Sequence, residues 1–581
     1  MSETASNDRS GPRAPATPDG GLTVLIVGGY GTFGGRLGQL LQDEARLTLI
    51  VAGRSLDKAR AWCADRGQAR AMLVPAAFDR GGDLDAQIAA LAPDILVDAS
   101  GPFQAYGERP YRVIEACLAQ GVSYLDLADG SGFVAGVGAF DAAARAAGLY
   151  VLSGVSSFPV LTAAVVRRLS QDMARIDSIR GGIAPSPYAG VGENVIRAIA
   201  GYAGQAAPMK RDGQAATGHP LTEQMRYTIA PPGRLPLRST LFSLVDVPDL
   251  RALSELWPEA RTVWMGAGPV PEVLHRALIA LAWLVRVGIL RTLSPLAPLM
   301  KAATDRLRWG EHRGGMFVEA EGVGSDGAPV KRSWHLLAEG DDGSLIPSMA
   351  AEALIRRALA GRPPAAGARA AVRELELEDY ERLFAHRALF TGARDDAPAA
   401  SPCLYAQILG GAWDRLPAEI RAMHDFGDVA VAEGRGDVER GGGVLARLVG
   451  LVMGFPKASP DTPVQVRFTV TNGVETWTRR FGADSFSSRQ FAGGGRSDRL
   501  VCERFGPLTF AMALVVDGER LSLDLRRWSL FGLPMPMSLC PRCEAYEVVE
   551  AGRFRFHVAL SHPWMGPIIR YRGWLVPNAP G

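Results

Sequence analysis

The sequence predicts an α/β protein in three parts: a doubly wound parallel sheet, an α+β domain, and a β-rich C-terminal domain. Three observations carry this. A glycine-rich turn joins an aliphatic run to a helical pattern in "LIVGGYGTFGGRLGQLL", Leu25 to Leu41. From Leu22 to about Pro159, short aliphatic runs alternate with helical periodicity, the signature of βαβ units. In the last third, apolar residues alternate with polar or charged ones, as half-buried antiparallel strands do.

The elements follow in order. Residues 1–21, "MSETASNDRSGPRAPATPDGG", have the Ser, Pro and Gly composition of a disordered tail and lack the apolar core of a signal peptide. Within 22–159, the strand candidates are "LTVLIVG", "LTLIVAG", "PDILVDAS", "VSYLDLA" and "LYVLSGV". Helices are predicted at Phe33 to Gln42, Leu56 to Arg66, Leu84 to Ala92, Tyr111 to Gln120 and Phe140 to Ala147. Residues 160–393 mix strands such as "IDSIRGGIA" and "GMFVEAEGVG" with helices at Leu161 to Ser170 and Ser348 to Ala360. The polar, proline-containing "RDDAPAASP", 394–402, reads as a linker. In 403–581 a helical opening precedes "VQVRFTV", "ETWTRRF", "FAMALVVDGERLSLDLRRW" and "YEVVEAGRFRFHVAL", with hairpin turns expected at Asp517-Gly518 and Ala551-Gly552.

At 581 residues the chain has room for several cores. Its 63 basic residues nearly balance 61 acidic ones, and no basic run tracks phosphates, which argues against nucleic acid as a partner. Six dispersed cysteines point to a reducing compartment, so a cytoplasmic location is expected.

The opening motif has a mechanical meaning. Glycines let the backbone turn tightly and approach a pyrophosphate, while the helix behind offers free N–H groups and a positive dipole end. Gly29, Gly31 and Gly34 spell G-x-G-x-x-G, and Gly28, Gly31 and Gly34 spell the wider G-x-x-G-x-x-G of short-chain reductases. Those reductases pair a tyrosine with a lysine four residues on, and none of the five lysines follows a tyrosine at that spacing. Residues 22–159 therefore read as a Rossmann domain for a dinucleotide. The next strand ends in Gly53, Arg54 and Ser55, with no acid to take a ribose diol. A guanidinium and a hydroxyl there suit a 2′-phosphate, which favours NADP. NAD stays open through Asp57, a little further on. "DASGPFQAYG", 98–107, places the small residues Ala99, Ser100, Gly101 and Pro102 where the nicotinamide half of the cofactor would lie.

Read together, "GGYGTFG", "AGRSLDKA", "DILVDASGPFQ", "CLAQGVSYLDLADG" and "VLSGVSSFPVLTA" resemble the saccharopine dehydrogenase-like oxidoreductases. The resemblance covers Leu22 to about Leu169 and continues to Gly361 through "PSMAAEALIRRALAG". It implies a Rossmann domain followed by a substrate domain with a mainly antiparallel sheet. It also implies that Gly28, Gly29, Gly31, Thr32, Phe33 and Gly34 form the phosphate loop, that Arg54 and Ser55 meet the 2′-phosphate, and that Ala99 to Pro102 flank the nicotinamide. No cluster of cationic residues is placed for a dicarboxylate amino acid, so saccharopine itself is not the expected substrate. The block from Cys403 to Tyr571 resembles a bacterial C-terminal domain of unassigned function, through "LYAQILGGAWDRLP", "FGLPMPMSL" and "EVVEAGRFRFHV".

Catalytic residues are not evident. Gln104, Tyr106, Ser156, Ser157, Tyr188 and Asn194 fall in loops near the expected crevice and are the candidates for substrate contact. Cys540, Cys543, His557 and His562 have zinc-finger spacing, but the histidines sit in a strand-like stretch with Pro563 behind, so no metal site is assigned. The apolar stretch 273–294 carries Arg286 and Arg291 and is too broken to span a membrane. At 100° per residue, His275, Arg276, Arg286 and Arg291 share one side with Trp283, which suits an interfacial helix. Burial against the substrate domain or a dimer mate is the competing reading. Two functions stand: an NADP-dependent oxidoreductase acting on a carbonyl, imine or enoyl group of a small or lipid-like substrate, and a non-catalytic NADP sensor or scaffold.

Overall fold

The computed structural model describes residues 20–396 and 403–578. They divide into two units: residues 20–225, 242–331 and 338–390, and residues 226–241, 332–337, 391–396 and 403–578. Residues 1–19 of the expected tail, and 397–402 of the expected linker, lie outside the described residues.

In the first unit, aliphatic strands β1 (Leu22–Val27) and β2 (Leu47–Gly53) are almost fully buried, as strands covered on both faces by helices must be. The connecting helices are α1 (Thr32–Leu41), α2 (Leu56–Ala64), α3 (Leu84–Leu91), α4 (Arg112–Ala119), α5 (Ser131–Gly136) and α6 (Asp141–Ala147). With β3 (Met72–Ala77), β4 (Ile95–Asp98), β5 (Ser123–Asp126) and β6 (Tyr150–Ser153), the all-parallel sheet continues on both sides of β1. Chain order reverses between β1 and β4, the topological switch point where open α/β sheets bind ligands.

The chain then runs through α7 (Thr162–Leu169), the long β7 (Met173–Ala184), α8 (Glu193–Tyr202), the hairpin β8 (Ala207–Arg211) and β9 (Gln214–Gly218), and β10 (Gln224–Tyr227). Next come β11 (Thr240–Leu244), α9 (Asp249–Leu256), β12 (Thr262–Ala267), α10 (Glu272–Arg286), α11 (Ala297–Arg306), β13 (Arg313–Gly324) and β14 (Pro329–Glu339). The centre of this mixed sheet is β11-β12-β7-β13, with β12 parallel to β7 and the other two contacts antiparallel. Helix α12 (Ile346–Leu359) leads to β15 (Gly367–Ala370), which returns to the first sheet and pairs parallel with β6. The Rossmann sheet thus takes a strand from far beyond residue 159. Helix α13 (Leu377–Phe384) and β16 (Leu389–Asp395) follow.

Two expectations need correction. Arg394 and Asp395, expected in a linker, end strand β16. Arg394 is only 6% exposed because its guanidinium donates to the carbonyls of Ala230 (2.7 Å) and Ile408 (2.9 Å). The expected stripe of cations on 273–294 does not form. His275 is 2% exposed and hydrogen-bonded to Ser243 Oγ (2.7 Å), and α10 ends at Arg286, leaving Arg291 outside it.

In the second unit, α14 (Leu404–Leu409), α15 (Ala418–His424) and α16 (Val444–Val452) accompany an antiparallel meander. Its strands are β17 (Val429–Arg440), β18 (Ser459–Thr471), β19 (Val474–Phe481), β20 (Asp484–Ala492), β21 (Val501–Phe505), β22 (Leu508–Asp517) and β23 (Arg520–Leu530), then the short β24 (Leu533–Pro534), β25 (Arg542–Glu550), β26 (Arg553–His562) and β27 (Gly566–Pro577). Each strand pairs with the next, β24 stands aside, β23 also pairs with β25, and β27 returns to β17. The sheet closes as a ten-stranded barrel, which removes its edges. Alternation explains the closure: Val464, Val466 and Phe468 point inward on β18 while Gln465 and Arg467 are exposed. The turn expected at Asp517-Gly518 forms one residue later, at Gly518-Glu519, because Asp517 still pairs with Arg520, and the turn at Ala551-Gly552 forms as expected with both φ angles positive.

Candidate active site

The end of β1 and the start of α1 form a junction in which glycine is required by contact rather than by motif. Gly28 has φ +78°, and a Cβ on it would lie 2.9 Å from the Ala99 carbonyl oxygen. A Cβ on Gly29 would meet the Ile26 carbonyl oxygen at 2.8 Å, one on Gly31 the Gly28 oxygen at 3.0 Å, and one on Gly34 the same oxygen at 2.3 Å. All four glycines are constrained, so both spacings read from the sequence describe one tight turn. Gly31 is the N-cap of α1 and no side chain caps the helix, leaving its first N–H groups for an anion. The Phe33 carbonyl accepts from Ser348 Oγ (3.0 Å), which ties the first turn to α12.

At the tip of β2, Arg54 is exposed and makes no hydrogen bond or ion pair among the described residues. Ser55 caps α2 by accepting from the Lys58 N–H (3.3 Å), and Asp57 pairs with Arg60 instead of turning back toward the strand tip. Sequence reasoning missed Tyr30, whose ring packs on Gly53 and whose hydroxyl accepts from the Ser55 N–H (3.0 Å).

Across the switch point, buried Asp98 holds the loop that follows β4. It accepts from the Ser100 N–H (3.0 Å) and Ser100 Oγ (2.6 Å), with the Tyr106 hydroxyl at 3.3 Å and Arg80 Nε at 3.6 Å. The Arg80 guanidinium lies 3.2 Å from the centre of the Tyr106 ring. Tyr106 is thus a strut: burial first, then the Asp98 charge, push its hydroxyl well above the usual phenol range. Asn194 at the head of α8 donates to the carbonyls of Ser100 and Gly101 (both 3.0 Å). Arg36 donates to the Ala189 carbonyl (2.9 Å), and Gly192 packs so closely on Thr32 that a Cβ would meet its Oγ1 at 2.9 Å. The segment 186–194 therefore lies over the glycine turn and the 99–102 loop together. Tyr188, on its outer side, is 38% exposed and edge-on to His312, whereas Ser157 is buried in a π-helical turn.

Beside this loop stands a group of acids that periodicity could not reveal. Buried Asp126 accepts from the Ala128 N–H (2.9 Å), Ser153 Oγ (3.0 Å) and the Gly154 N–H (2.8 Å), pinning the turn after β5. Burial outweighs these bonds and raises its carboxyl to about 7. Three residues on, Asp129 accepts from Gln104 Nε2 (3.1 Å), and Asp246 accepts from Ser131 Oγ (2.6 Å). Burial pushes both carboxyls up, and the Asp246 charge adds to the effect on Asp129. Tyr202, at the end of α8, is raised by burial and then by both carboxylates. Gln104, which holds Asp129, stands two residues after Pro102 in the chain. The only signal in the sequence was the repeated acid in "DLADG".

Register spreads the zinc-like set along one hairpin, Cys543 opposite Leu560 and His557 opposite Tyr546. Among the described residues no three His, Cys, Asp or Glu side chains converge on a metal-sized site, and no helix is long and apolar enough to cross a membrane.

The parallel sheet, its switch point and the glycine junction define an NAD(P)-binding Rossmann domain of the kind oxidoreductases carry. Residues 24–152 match the saccharopine dehydrogenase NADP binding domain, and residues 416–575, within the barrel unit, match a domain of unknown function, DUF4166. No curated protein matches the chain. Among solved structures, saccharopine dehydrogenase (L-Glu forming) from Saccharomyces cerevisiae aligns at 14% identity and TM-score 0.46, over 65% of this chain and 100% of its own. A biliverdin reductase from Synechocystis sp. PCC 6803 aligns at 13% and 0.28, over 62% and 94%. A probable dehydrogenase from Thermotoga maritima aligns at 10% and 0.29, over 62% and 93%. Likenesses this distant say nothing about substrate.

Proposed function

We propose that the protein is an NADP-dependent oxidoreductase acting on a carbonyl, imine or enoyl group of a small or lipid-like molecule. The observation that carries this is the glycine junction at the β1/β4 switch point. At Gly28, Gly29, Gly31 and Gly34 any Cβ would strike neighbouring backbone, so only glycines let the chain turn this tightly into the uncapped start of α1, whose first N–H groups face a ligand-sized anion site. Such a site fits a pyrophosphate. Arg54, exposed and unpaired, supports NADP over NAD through a charge-assisted contact to a 2′-phosphate. Bound there, the nicotinamide supplies hydride chemistry.

The chain's own part is to orient and to manage a proton. Asn194 and Asp98 fix the 99–102 loop, against which the nicotinamide face would rest. Asp129, held by Gln104 and kept protonated to higher pH than an ordinary carboxyl, is the group we assign to give a proton to a developing oxyanion or amide anion. Tyr202 and Asp246 form its proton-sharing surroundings. The test is to follow NADPH absorbance with purified protein against ketones, imines and enoyl thioesters. Substrate-dependent oxidation supports the reading; stoichiometric NADPH binding without turnover across the panel favours the sensor.

A second part of the reading is contact with a lipid surface. Beyond the buried face of α10, Trp283 (42% exposed), Val287 and Ile289 (69%) stand out beside Arg286 and Arg291. Apolar side chains beside cations suit an anionic membrane face.

A further inference from the structure

The barrel interior is not filled. Protein cores are close-packed, with few voids larger than a water molecule. Here about 1380 Å³ inside the barrel is free of atoms, part of it open to solvent, and within it about 180 Å³ admits the centre of a water-sized molecule. That corresponds to roughly 12–18 water-sized positions at 10–15 Å³ each. The lining is mainly apolar, with Val466, Phe468, Phe481, Met512 and Leu523 among its residues. A closed barrel of this strand number is wide enough to hold one small ligand.

We infer that the barrel interior is a binding site for one uncharged, chain-like apolar molecule ending in an alcohol or carbonyl oxygen. The polar groups inside choose the charge. Arg479, the buried cation, is satisfied by Glu503 Oε1 (3.0 Å) and Ser488 Oγ (2.7 Å). His424 Nε2 is bonded to Glu547 Oε2 (2.8 Å), and Tyr405 bonds Gln490 Oε1 (3.3 Å). Among the described residues that line the cavity no arginine or lysine is left for a carboxylate, and Glu503 and Glu547 repel one. One fully buried ring atom is open: His424 Nδ1 has no hydrogen-bond partner among the described residues, whereas His557, which also lines the cavity, is half-buried and stacks on Tyr546 (4.7 Å). The His424 ring is stacked on Tyr405 at 3.7 Å, so it cannot easily turn away. An alcohol oxygen meets Nδ1 in either protonation state, donating to the bare nitrogen or accepting from an N–H.

Helix α16 borders the cavity and marks its entrance. Helix α16 contributes Val449 to the cavity wall, with Met453 just past its end, while Val444 (82% exposed), Leu445, Leu448 and Leu451 (78%) face out. It is flanked by Gly441-Gly442-Gly443 and by Gly454 at φ +66°. A surface helix apolar on both sides, set between glycines, suits a lid through which an apolar molecule leaves one oily environment for another. None of this rests on the oxidoreductase reading.

The test titrates the full chain with N-phenyl-1-naphthylamine, an uncharged apolar fluorophore, then competes it with dodecan-1-ol and with dodecanoate at pH 8. The expected result is one saturable site per chain, displaced by the alcohol, at least tenfold less by the carboxylate, and not by NADP. Leu523→Trp and Val466→Trp, on opposite walls, each lower probe affinity at least tenfold with the far-ultraviolet circular dichroism unchanged. Where either variant fails to fold, the wild-type competition decides alone. Absence of saturable binding overturns the proposal, as does equal displacement by dodecanoate, or probe binding that persists in both folded variants.

Discussion

Replacing Gly34 with alanine puts the cofactor cradle under the sharpest strain available. The new Cβ would lie 2.3 Å from the Gly28 carbonyl oxygen and 3.0 Å from Gly29 Cα, both backbone atoms that no side-chain rotation relieves. Reaching an ordinary contact of about 3.4 Å requires the head of α1 to move out by about 1 Å. Overpacking of this kind costs typically 1–3 kcal/mol. The same displacement draws the helix N–H groups off a bound phosphate, and losing one charge-assisted hydrogen bond is worth about 1.5–3 kcal/mol. At about 1.4 kcal/mol per tenfold, NADPH affinity should fall roughly 10- to 100-fold. Gly35→Ala is the control: its Cβ meets the Trp62 side chain at 3.0 Å, which can shift, and the Gly29 carbonyl oxygen at 3.5 Å, an ordinary contact. Titration by NADPH fluorescence, with thermal unfolding alongside, reads both. NADPH affinity in Gly34→Ala within threefold of wild type would refute the close-approach reasoning.

Other outcomes follow from the same geometry. Arg54→Ala should weaken NADPH about tenfold and leave NADH unchanged, since a charge-assisted contact to the 2′-phosphate is all that separates the two; equal losses for both would remove Arg54 from that role. Asp129→Asn should lower turnover by roughly 10²-fold or more, the usual contribution of a placed proton donor, while NADPH affinity stays within threefold; unchanged turnover would return the donor role to another group. Asp249 is fully buried, and burial raises its carboxyl to about 7 from an ordinary value near 4. The folded chain thus holds that proton over a range where the unfolded chain has released it, so this residue costs stability as pH rises from about 4 to 7. Asp249→Asn should therefore gain on wild type by a few kcal/mol between pH 5 and pH 8, read by denaturant melts at both; a pH-independent difference contradicts the assignment. The paired change Trp283→Ala, Ile289→Ser should weaken binding to anionic vesicles in flotation by about a hundredfold or more, because each side chain contributes about 1.5–3 kcal/mol when buried and about 1.4 kcal/mol is tenfold; wild-type chain that stays off the vesicles ends the idea.

What the sequence made legible was whatever a local pattern controls. The strand β2 was predicted to the residue, and α1 to within one position at either end, because buried aliphatic runs and the glycine turn speak locally. Strand β3 went unseen: Pro75 interrupts "MLVPAA" and most of the strand is only partly buried, as an edge position allows. Strand β15 is four residues long and owes its place to β6, more than two hundred positions earlier. The helix after Pro271 was expected too long, since Gly288 ends an apolar stretch that periodicity alone continues. In the C-terminal unit the alternation and two turns were readable, but closure of β27 on β17 joins residues well over a hundred positions apart. The glycine turn was legible because its four glycines lie within seven successive positions, 28–34. The acids were not, because Asp129, Asp246 and Tyr202 come from three separate elements and meet only when α8 lies over the loop after β4.

The central claim is that the glycine junction holds a nicotinamide nucleotide and prefers the one bearing a 2′-phosphate. Equilibrium titration of the full chain with NADPH and with NADH, by calorimetry at one ionic strength, tests it most directly. One NADPH per chain, bound at least tenfold more tightly than NADH, is the expected result. Absence of binding by either nucleotide at millimolar concentration would contradict the account, and NADH binding as tight as NADPH would contradict its assignment of Arg54.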